Sequence, residues 1–209
     1  MSKIKKFFFN IVRLFITVTG AIAVYLVIPI KKHFVNTTRN VFKTKGNLII
    51  CNHVEWMDPP LINIVVFGKK LKFLAAKEIF KNKTMTFGLK CLNAVPIDRN
   101  SLDLKPFTEL IDFIKQGNTV VIFPEEHIST DGEMLPFKSG ASMVAALTDC
   151  NVIPIYKVKS RPFRMTHFYI GKSYKFSDYY SKYSIVNIEQ FTKVMETSVR
   201  ELKPQEKSI

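Results

Sequence analysis

The sequence contains few cysteines, and they form no recognisable pair. Cys51, Cys91 and Cys150 are odd in number, lie far apart and include no C-x-x-C spacing. A disulfide framework or a zinc site is therefore not expected, and we predict no metal site. This cysteine usage indicates a reducing, cytosol-facing environment in which each thiol is a small buried apolar side chain.

Acidic residues are also scarce. The chain has 17 of them against 31 lysines and arginines, which gives a net charge of +14, while 47% of its residues are hydrophobic. An excess of positive charge indicates a polyanionic partner, either nucleic acid or an anionic lipid surface. The lysines are dispersed and no nucleic-acid-reading motif is recognisable, so we expect a phospholipid bilayer as partner and no nucleic acid.

Repeats, low-complexity segments and linkers are absent between residues 46 and 202. A chain of 209 residues has room for one core of ordinary size. We therefore predict one α/β domain over residues 36–209, preceded by a segment of different character over residues 1–35.

The first 35 residues predict a membrane-associating helical segment. Residues 1–19 place apolar and aromatic side chains on one helical face and basic or polar ones on the other, and residues 21–30 are apolar on every side. The apolar run over residues 14–30 would extend roughly 25 Å as a helix, which is short for a bilayer core. Lysines flank both of its ends, so we expect a helix pair that dips into one leaflet.

This arrangement predicts a peripheral, monotopic or re-entrant protein on the cytoplasmic face of the cell membrane. A single span remains an alternative. So does a cleaved signal peptide, because residues 21–23 read "AIA".

From residue 46 onward, short β-rich runs alternate with helical patterns. The predicted strands are 47–51, 71–76, 92–97, 119–124, 152–158 and 167–171, and the predicted helices are 59–67, 102–117, 138–150 and 185–202. The alternation predicts an α/β fold with a mixed, largely parallel sheet flanked by helices. In such sheets, functional residues lie just beyond the carboxyl ends of the strands.

One histidine and one aspartate follow the first of these strands, in "NHVEWMDPP" over residues 52–60. His53 should lie at the rim of the sheet. Asp58, which precedes Pro59, suits the N-cap of the next helix. Alternatively, a short turn brings the Asp58 carboxylate back to the imidazole, where it fixes the tautomer and makes His53 a general base.

Further segments carry a family resemblance. "NHVEWMD" (52–58), "AVPIDR" (94–99), "VIFPEEHIS" (121–129) and "VIPIYKV" (152–158) resemble, in order and separation, the four sequence blocks of the glycerolipid acyltransferases typified by the 1-acylglycerol-3-phosphate acyltransferases. "AAKEIF" (75–80) and "PFKSGAS" (136–142) are similar to intervening family segments. The resemblance extends over about residues 46–172 and is specific because several blocks agree together.

The resemblance implies an O-acyltransferase of phospholipid biosynthesis. His53, oriented by Asp58, would deprotonate the free hydroxyl of a lysophospholipid acceptor, 1-acylglycerol-3-phosphate. This hydroxyl would attack the thioester of acyl-CoA or acyl-ACP, the acyl-donor substrate, and give phosphatidic acid. No cofactor and no covalent acyl-enzyme would be needed.

Three further residues are candidates for substrate binding. The resemblance assigns the acceptor phosphate to Arg99 and the positioning of acceptor hydroxyls to Glu125, whereas a structural salt bridge and a solvated loop carboxylate are the respective alternatives. Lys138, with the backbone of Ser139 and Gly140, opens a predicted helix whose free N–H groups can bind an anion. A solvated lysine is the alternative there.

The sequence departs from the family pattern after Glu125. The family's glycine, threonine and arginine correspond here to Glu126, His127 and Ile128, so a second phosphate-binding arginine is missing. Asn93 also stands where the second block has a glycine, although asparagine tolerates left-handed backbone geometry. These departures leave a different lysolipid or alcohol as an alternative acceptor. A non-enzymatic module that binds membrane or nucleic acid is a further alternative.

Overall fold

The structure is a computed structural model that describes residues 28–98, 103–129, 132–161 and 164–205. Residues 1–27 of the predicted membrane-associating segment therefore lie outside the described residues, as does Arg99. Within them, no helix combines the length and the apolar character that a membrane span requires.

Seven strands of the described chain form one mixed sheet. They are β1 (Ile30–Phe34), β2 (Asn47–Cys51), β3 (Leu71–Ala76), β4 (Ala94–Ile97), β5 (Thr119–Ile122), β6 (Asn151–Lys157) and β7 (Thr166–Ile170). Their order across the sheet is β1-β7-β6-β2-β5-β3-β4. Every neighbouring pair is parallel except β6 and β7, which confirms the predicted mixed, largely parallel sheet.

Helices cover both faces of this sheet. The α-helices of the described chain are α1 (Asp58–Val65), α2 (Lys83–Cys91), α3 (Lys105–Lys115), α4 (Gly140–Thr148) and α5 (Ile185–Arg200). Leu48 and Ile50 of β2 belong to an apolar cluster with α3, α4 and α5, whereas Ile49 and Cys51 belong to a second cluster with α1. Because β2 is buried on both faces, it reads in the sequence as a continuous apolar run.

The predicted boundary at residue 35 is wrong. Residues 30–34 form β1, which pairs in parallel with β7, so the sheet begins before the α/β domain was expected to begin. Local sequence did not reveal this strand because its hydrogen-bond partners lie more than a hundred residues away, at residues 166–170. His33 of β1 also has a partner that the sequence did not show, since its Nε2 lies 2.9 Å from His167 Nδ1.

Two smaller differences concern helix α2 and the start of β4. Helix α2 was not predicted, and the predicted strand 92–97 begins only at Ala94. Asn93 precedes β4 with a φ of 58°, the left-handed conformation that asparagine tolerates, and its side chain donates to the Leu71 carbonyl. The turn therefore keeps its geometry without the glycine of the family pattern.

The parallel strands β2 to β6 end at the same edge of the sheet. We call this the catalytic edge, and it comprises His53 after β2, Asp98 after β4, Glu125 after β5 and Lys157 at the end of β6. The sheet therefore gathers four sequence-distant segments at one place, as expected for parallel α/β sheets.

Candidate active site

His53 and Asp58 form a direct contact at the catalytic edge. The distance between His53 Nδ1 and Asp58 Oδ2 is 2.7 Å, so the predicted return of the carboxylate to the imidazole is confirmed. Because Nδ1 donates its proton to a carboxylate, neutral His53 has Nε2 as its basic nitrogen. The imidazole stacks on Phe123 with 4.4 Å between ring centroids, and its side chain keeps 18% exposure, which leaves room for a substrate proton to reach it.

The N-cap interpretation of Asp58 is wrong. Asp58 is the first residue of α1, and its Oδ2 accepts the backbone N–H groups of Val54 and Glu55, which precede the helix. The carboxylate therefore stabilises the loop that carries His53 and does not cap the first turn of α1. The loop and the side chain hold each other in one conformation.

The Asp58 carboxyl is fully buried. Burial raises its pKa, whereas the hydrogen bond from His53, the charge of His53 and the Val54 amide act in the opposite direction. A buried carboxylate that accepts three N–H groups at one oxygen has little freedom to rotate. His53 is therefore held with its ring in a fixed orientation.

Glu125 is not a solvated loop carboxylate. Its side chain is buried, and its two oxygens accept the backbone N–H groups of His53 and Leu135 at 2.9 and 2.8 Å. Burial raises the pKa of the Glu125 carboxyl, and the two amides oppose that shift. This geometry makes Glu125 a support for the backbone of His53. Its contact with acceptor hydroxyls stays a prediction.

An open, mainly apolar cleft adjoins the pair. It is lined by residues of β3, β4, β5, α3 and α4 and of the loop that follows β5, among them Leu74, Ile97, Phe107, Phe123, Glu126 and Lys138. Phe123 connects the cleft to the catalytic pair, since its ring also stacks on His53. The Lys138 side chain is exposed, and α4 begins at Gly140, two residues after the predicted start at 138. Phosphate binding by Lys138 stays a prediction, as does that by Arg99.

The departure at Glu126 has a structural cost. Glu126 has a φ of 60°, in the left-handed region where a side chain is unfavourable, and it occupies the position of the family's glycine. Its side chain also contributes a negative charge to the cleft. Ile128, in place of the family's arginine, is 43% exposed.

Replacing Glu126 with glycine is expected to stabilise the fold by about 0.5–1 kcal/mol, because relief of the left-handed strain outweighs the extra flexibility of glycine. Thermal unfolding should show a rise in Tm of about 1–4 °C. Asn36→Gly is the matched control, since Asn36 is also left-handed at a φ of 52° but asparagine tolerates that region. A lower Tm in Glu126→Gly than in wild type would show that the carboxylate stabilises the loop more than its backbone strains it.

Sequence reasoning missed Asn52, Glu55 and Lys157 as parts of this site. Lys157 ends β6, is fully buried and contacts the carboxylates of Glu55 and Asp58. The Asn52 side chain is hydrogen-bonded to both backbone groups of Lys157. One signal was available: a lysine at the end of the apolar strand "VIPIYK" requires a buried partner of opposite charge.

The fold and the site together define an α/β protein in which a carboxylate-oriented histidine, at the carboxyl ends of parallel strands, stands beside a cleft as a general base. A family model described as Acyltransferase matches residues 32–158. The chain therefore belongs to the acyltransferase family, as the sequence blocks indicated.

Named relatives agree with this assignment. The chain is 26% identical over 149 residues to a 1-acyl-sn-glycerol-3-phosphate acyltransferase of Bacillus subtilis, with 71% of this chain and 68% of that protein covered. It is 24% identical over 146 residues to the protein of the same name from Streptococcus pneumoniae, with 68% of this chain and 54% of that protein covered.

A solved structure shares the fold. The crystal structure of the 1-acyl-sn-glycerophosphate (LPA) acyltransferase PlsC from Thermotoga maritima matches with a TM-score of 0.67 at 23% identity. The match covers 97% of this chain and 83% of that one.

Proposed function

We propose that this protein transfers a fatty acyl group from an acyl thioester, acyl-CoA or acyl-ACP, to the free hydroxyl of 1-acylglycerol-3-phosphate and so makes phosphatidic acid. The observation that carries the proposal is the 2.7 Å contact between His53 Nδ1 and Asp58 Oδ2 beside an apolar cleft. The choice of 1-acylglycerol-3-phosphate as acceptor is supported by the relatives that are named for this reaction.

The chemistry requires only the chain and its two substrates. His53 Nε2 takes the proton of the acceptor hydroxyl while the hydroxyl oxygen attacks the thioester carbonyl carbon. The C–S bond then breaks, and the leaving thiolate receives the proton from the His53 imidazolium. Asp58 stabilises that imidazolium, and no cofactor enters the sequence of steps.

The function is tested by incubating the purified protein in phospholipid vesicles with an acyl thioester and a panel of acceptors. Free thiol release and mass spectrometry of the lipid product should both report transfer to 1-acylglycerol-3-phosphate. Arg99→Ala should raise the KM for this acceptor about 10- to 100-fold, as expected for loss of a charged hydrogen bond to phosphate. The KM for 1-acylglycerol, which has no phosphate, should not change.

One observation favours a different acceptor. Glu126 stands in place of the family's glycine and Ile128 in place of its arginine, so the segment after Glu125 has gained a negative charge and lost a positive one. A segment of this charge is less suited to an acceptor that carries a phosphate. If the protein uses a neutral lysolipid faster than 1-acylglycerol-3-phosphate and Arg99→Ala has no effect, this second candidate is correct. If thiol release is absent with every acceptor while vesicles are bound, the chain is a binding module and not an enzyme.

We further propose that the catalytic edge faces the cytoplasmic surface of an anionic membrane. Trp56, in the loop between His53 and Asp58, is 69% exposed, and aromatic side chains of this kind favour the lipid interface. Helix α2 exposes Met85 and Phe87 near Lys90, which adds apolar contact and positive charge. The basic, amphipathic residues 1–19 support the same partner.

Trp56 is the only tryptophan, so its fluorescence reports on this face directly. On addition of vesicles rich in phosphatidylglycerol, its emission should shift to shorter wavelength, and salt should weaken the shift because charge attraction is screened. Vesicles of phosphatidylcholine alone are the control and should give a smaller shift. An unchanged emission spectrum for protein that sediments with the vesicles would place Trp56 away from the lipid.

A further inference from the structure

Lys157 is a buried cation in contact with the catalytic pair. Its side chain has no exposed surface, and its Nζ lies 2.7 Å from Asp58 Oδ1 while also contacting Glu55 Oε1. Both carboxylates belong to the loop and helix start that present His53. The ammonium is therefore placed on the opposite oxygen of Asp58 from the imidazole.

The backbone fixes this placement. Asn52 Oδ1 accepts the Lys157 backbone N–H at 2.7 Å, and Asn52 Nδ2 donates to the Lys157 carbonyl at 3.0 Å. Glu55 Oε1 also accepts the Ser160 N–H at 3.0 Å. These bonds connect the loop after β2 to the end of β6, so Lys157 and Asp58 cannot separate without breaking the junction between two neighbouring strands.

The two oxygens of Asp58 have different partners. Oδ2 accepts from His53 Nδ1 and from two backbone amides, whereas Oδ1 has the Lys157 ammonium as its close contact and no donor in hydrogen-bonding geometry among the described residues. Burial raises the pKa of Asp58, which acts against the ionised form that His53 needs. A neighbouring positive charge opposes that effect.

The titratable groups that surround Asp58 are His53, Glu55, Lys157, Glu125 and Cys51. Burial raises the pKa of the Cys51 thiol well above its ordinary value, so the thiol stays neutral. Burial lowers the pKa of Lys157 to about 7, so this lysine is charged over the acidic range in which a carboxyl group titrates, and its Nζ contacts the carboxylates of Glu55 and Asp58. Glu55 is therefore a second negative charge close to Asp58, and the two carboxylates share one ammonium.

We propose that Lys157, held by Glu55 and Asn52, is a positioning residue of this enzyme: its ammonium keeps Asp58 ionised and turned so that Oδ2 accepts the His53 Nδ1 proton. Lys157 acts through Asp58 and does not touch the substrate. The role in catalysis rests on the proposed acyl transfer, whereas the effect on Asp58 is a property of the folded protein alone.

Two substitutions should move the Asp58 pKa in opposite directions. Lys157→Met removes the positive charge and should raise this pKa by about one pH unit or more, and Glu55→Gln removes a competing negative charge and should lower it. Carbon-13 NMR of aspartate-labelled full-length protein measures the titration directly. Lys72→Met is the matched control, because Lys72 is another buried lysine, paired with Glu109 at 2.5 Å and absent from the catalytic edge.

Activity gives a second readout. In Lys157→Met the acidic limb of the kcat profile, which reports protonation of the coupled His53–Asp58 pair, should move to higher pH. At a fixed pH below that limb, kcat should fall about tenfold for each pH unit by which the limb moves, while KM stays nearly constant. Glu55→Gln should move the limb to lower pH. Lys72→Met should leave the position of the limb unchanged.

The outcomes separate the two proposals. If Lys157→Met does not fold, Glu55→Gln still decides the matter, because it removes one charge and retains the lysine. An Asp58 titration that is unchanged in Glu55→Gln, or in a folded Lys157→Met, would reduce Lys157 to a structural residue and overturn the inference. A wild-type protein that is inert with every acceptor would overturn the proposed function, and the Asp58 titrations would still test the role of Lys157.

Discussion

Replacing His53 with alanine should reduce acyl transfer by about 10²- to 10⁴-fold, the contribution expected of a positioned general base. The loss should fall on kcat, because His53 Nε2 accepts the hydroxyl proton in the transition state and contributes little to substrate binding. The ring stacks on Phe123 and is 18% exposed, so the variant loses modest packing and should remain folded. Thiol release under saturating acyl donor measures the effect.

His127→Ala is the control for this experiment. His127 is exposed and lies in the loop after Glu125, near the same edge, but makes no part of the His53–Asp58 contact. Its removal should change kcat by less than about twofold, in the range of a surface substitution. If His53→Ala retains wild-type kcat, the protein does not use this histidine as its base and the mechanism is wrong.

Asp58→Asn should lower kcat by a similar factor, about 10²- to 10⁴-fold. The amide is nearly isosteric, but it has only one acceptor oxygen for the N–H groups and the ammonium that now share two. His53 would lose either its fixed tautomer or its orientation. Asp112→Asn on the exposed face of α3 is the matched control and should leave kcat unchanged. The double variant His53→Ala, Asp58→Asn should be scarcely worse than His53→Ala, because the two residues act as one unit.

The pH dependence of stability should distinguish Asp58→Asn from a simple loss of fold. The pKa of Asp58 is raised above its ordinary value of 3.8 in the folded state, so the native protein holds this proton more tightly than the unfolded chain does. The stability that the protonated form contributes is therefore lost as pH rises through the raised pKa. Asparagine carries no such dependence, so the variant should gain stability relative to wild type as pH rises above about 4. Urea unfolding at several pH values checks this sign.

Much of the α/β domain could be predicted from local sequence. The strands 47–51 and 71–76 were predicted with the bounds that the structure shows. Buried strands of a parallel sheet are short continuous apolar runs, and they are bounded here by turn residues, so the pattern is legible without tertiary information. Strand β1 could not be predicted from local sequence, because its sequence "IKKHF" carries charges and its pairing with β7 depends on distant residues.

The contacts of the candidate site are likewise of two kinds, those that could be inferred from the sequence and those that required the fold. His53 and Asp58 lie five positions apart, within the reach of one turn, so their contact could be inferred before the structure was known. The contacts of Glu125 with the His53 amide and of Lys157 with Asp58 join different strands. No periodicity encodes such contacts, and they exist only once β2, β5 and β6 are side by side.

The α/β class, the order of most strands and helices, and the histidine–aspartate pair could be inferred from the sequence, because each depends on interactions between residues close in the chain. Three features required the packed fold: the hydrogen bonds from Asp58 to the loop that carries His53, the support of His53 by Glu125, and the contacts of Lys157 with Glu55 and Asp58. These features involve buried charges, and a charged side chain removed from water needs partners that only the packed sheet can bring to it.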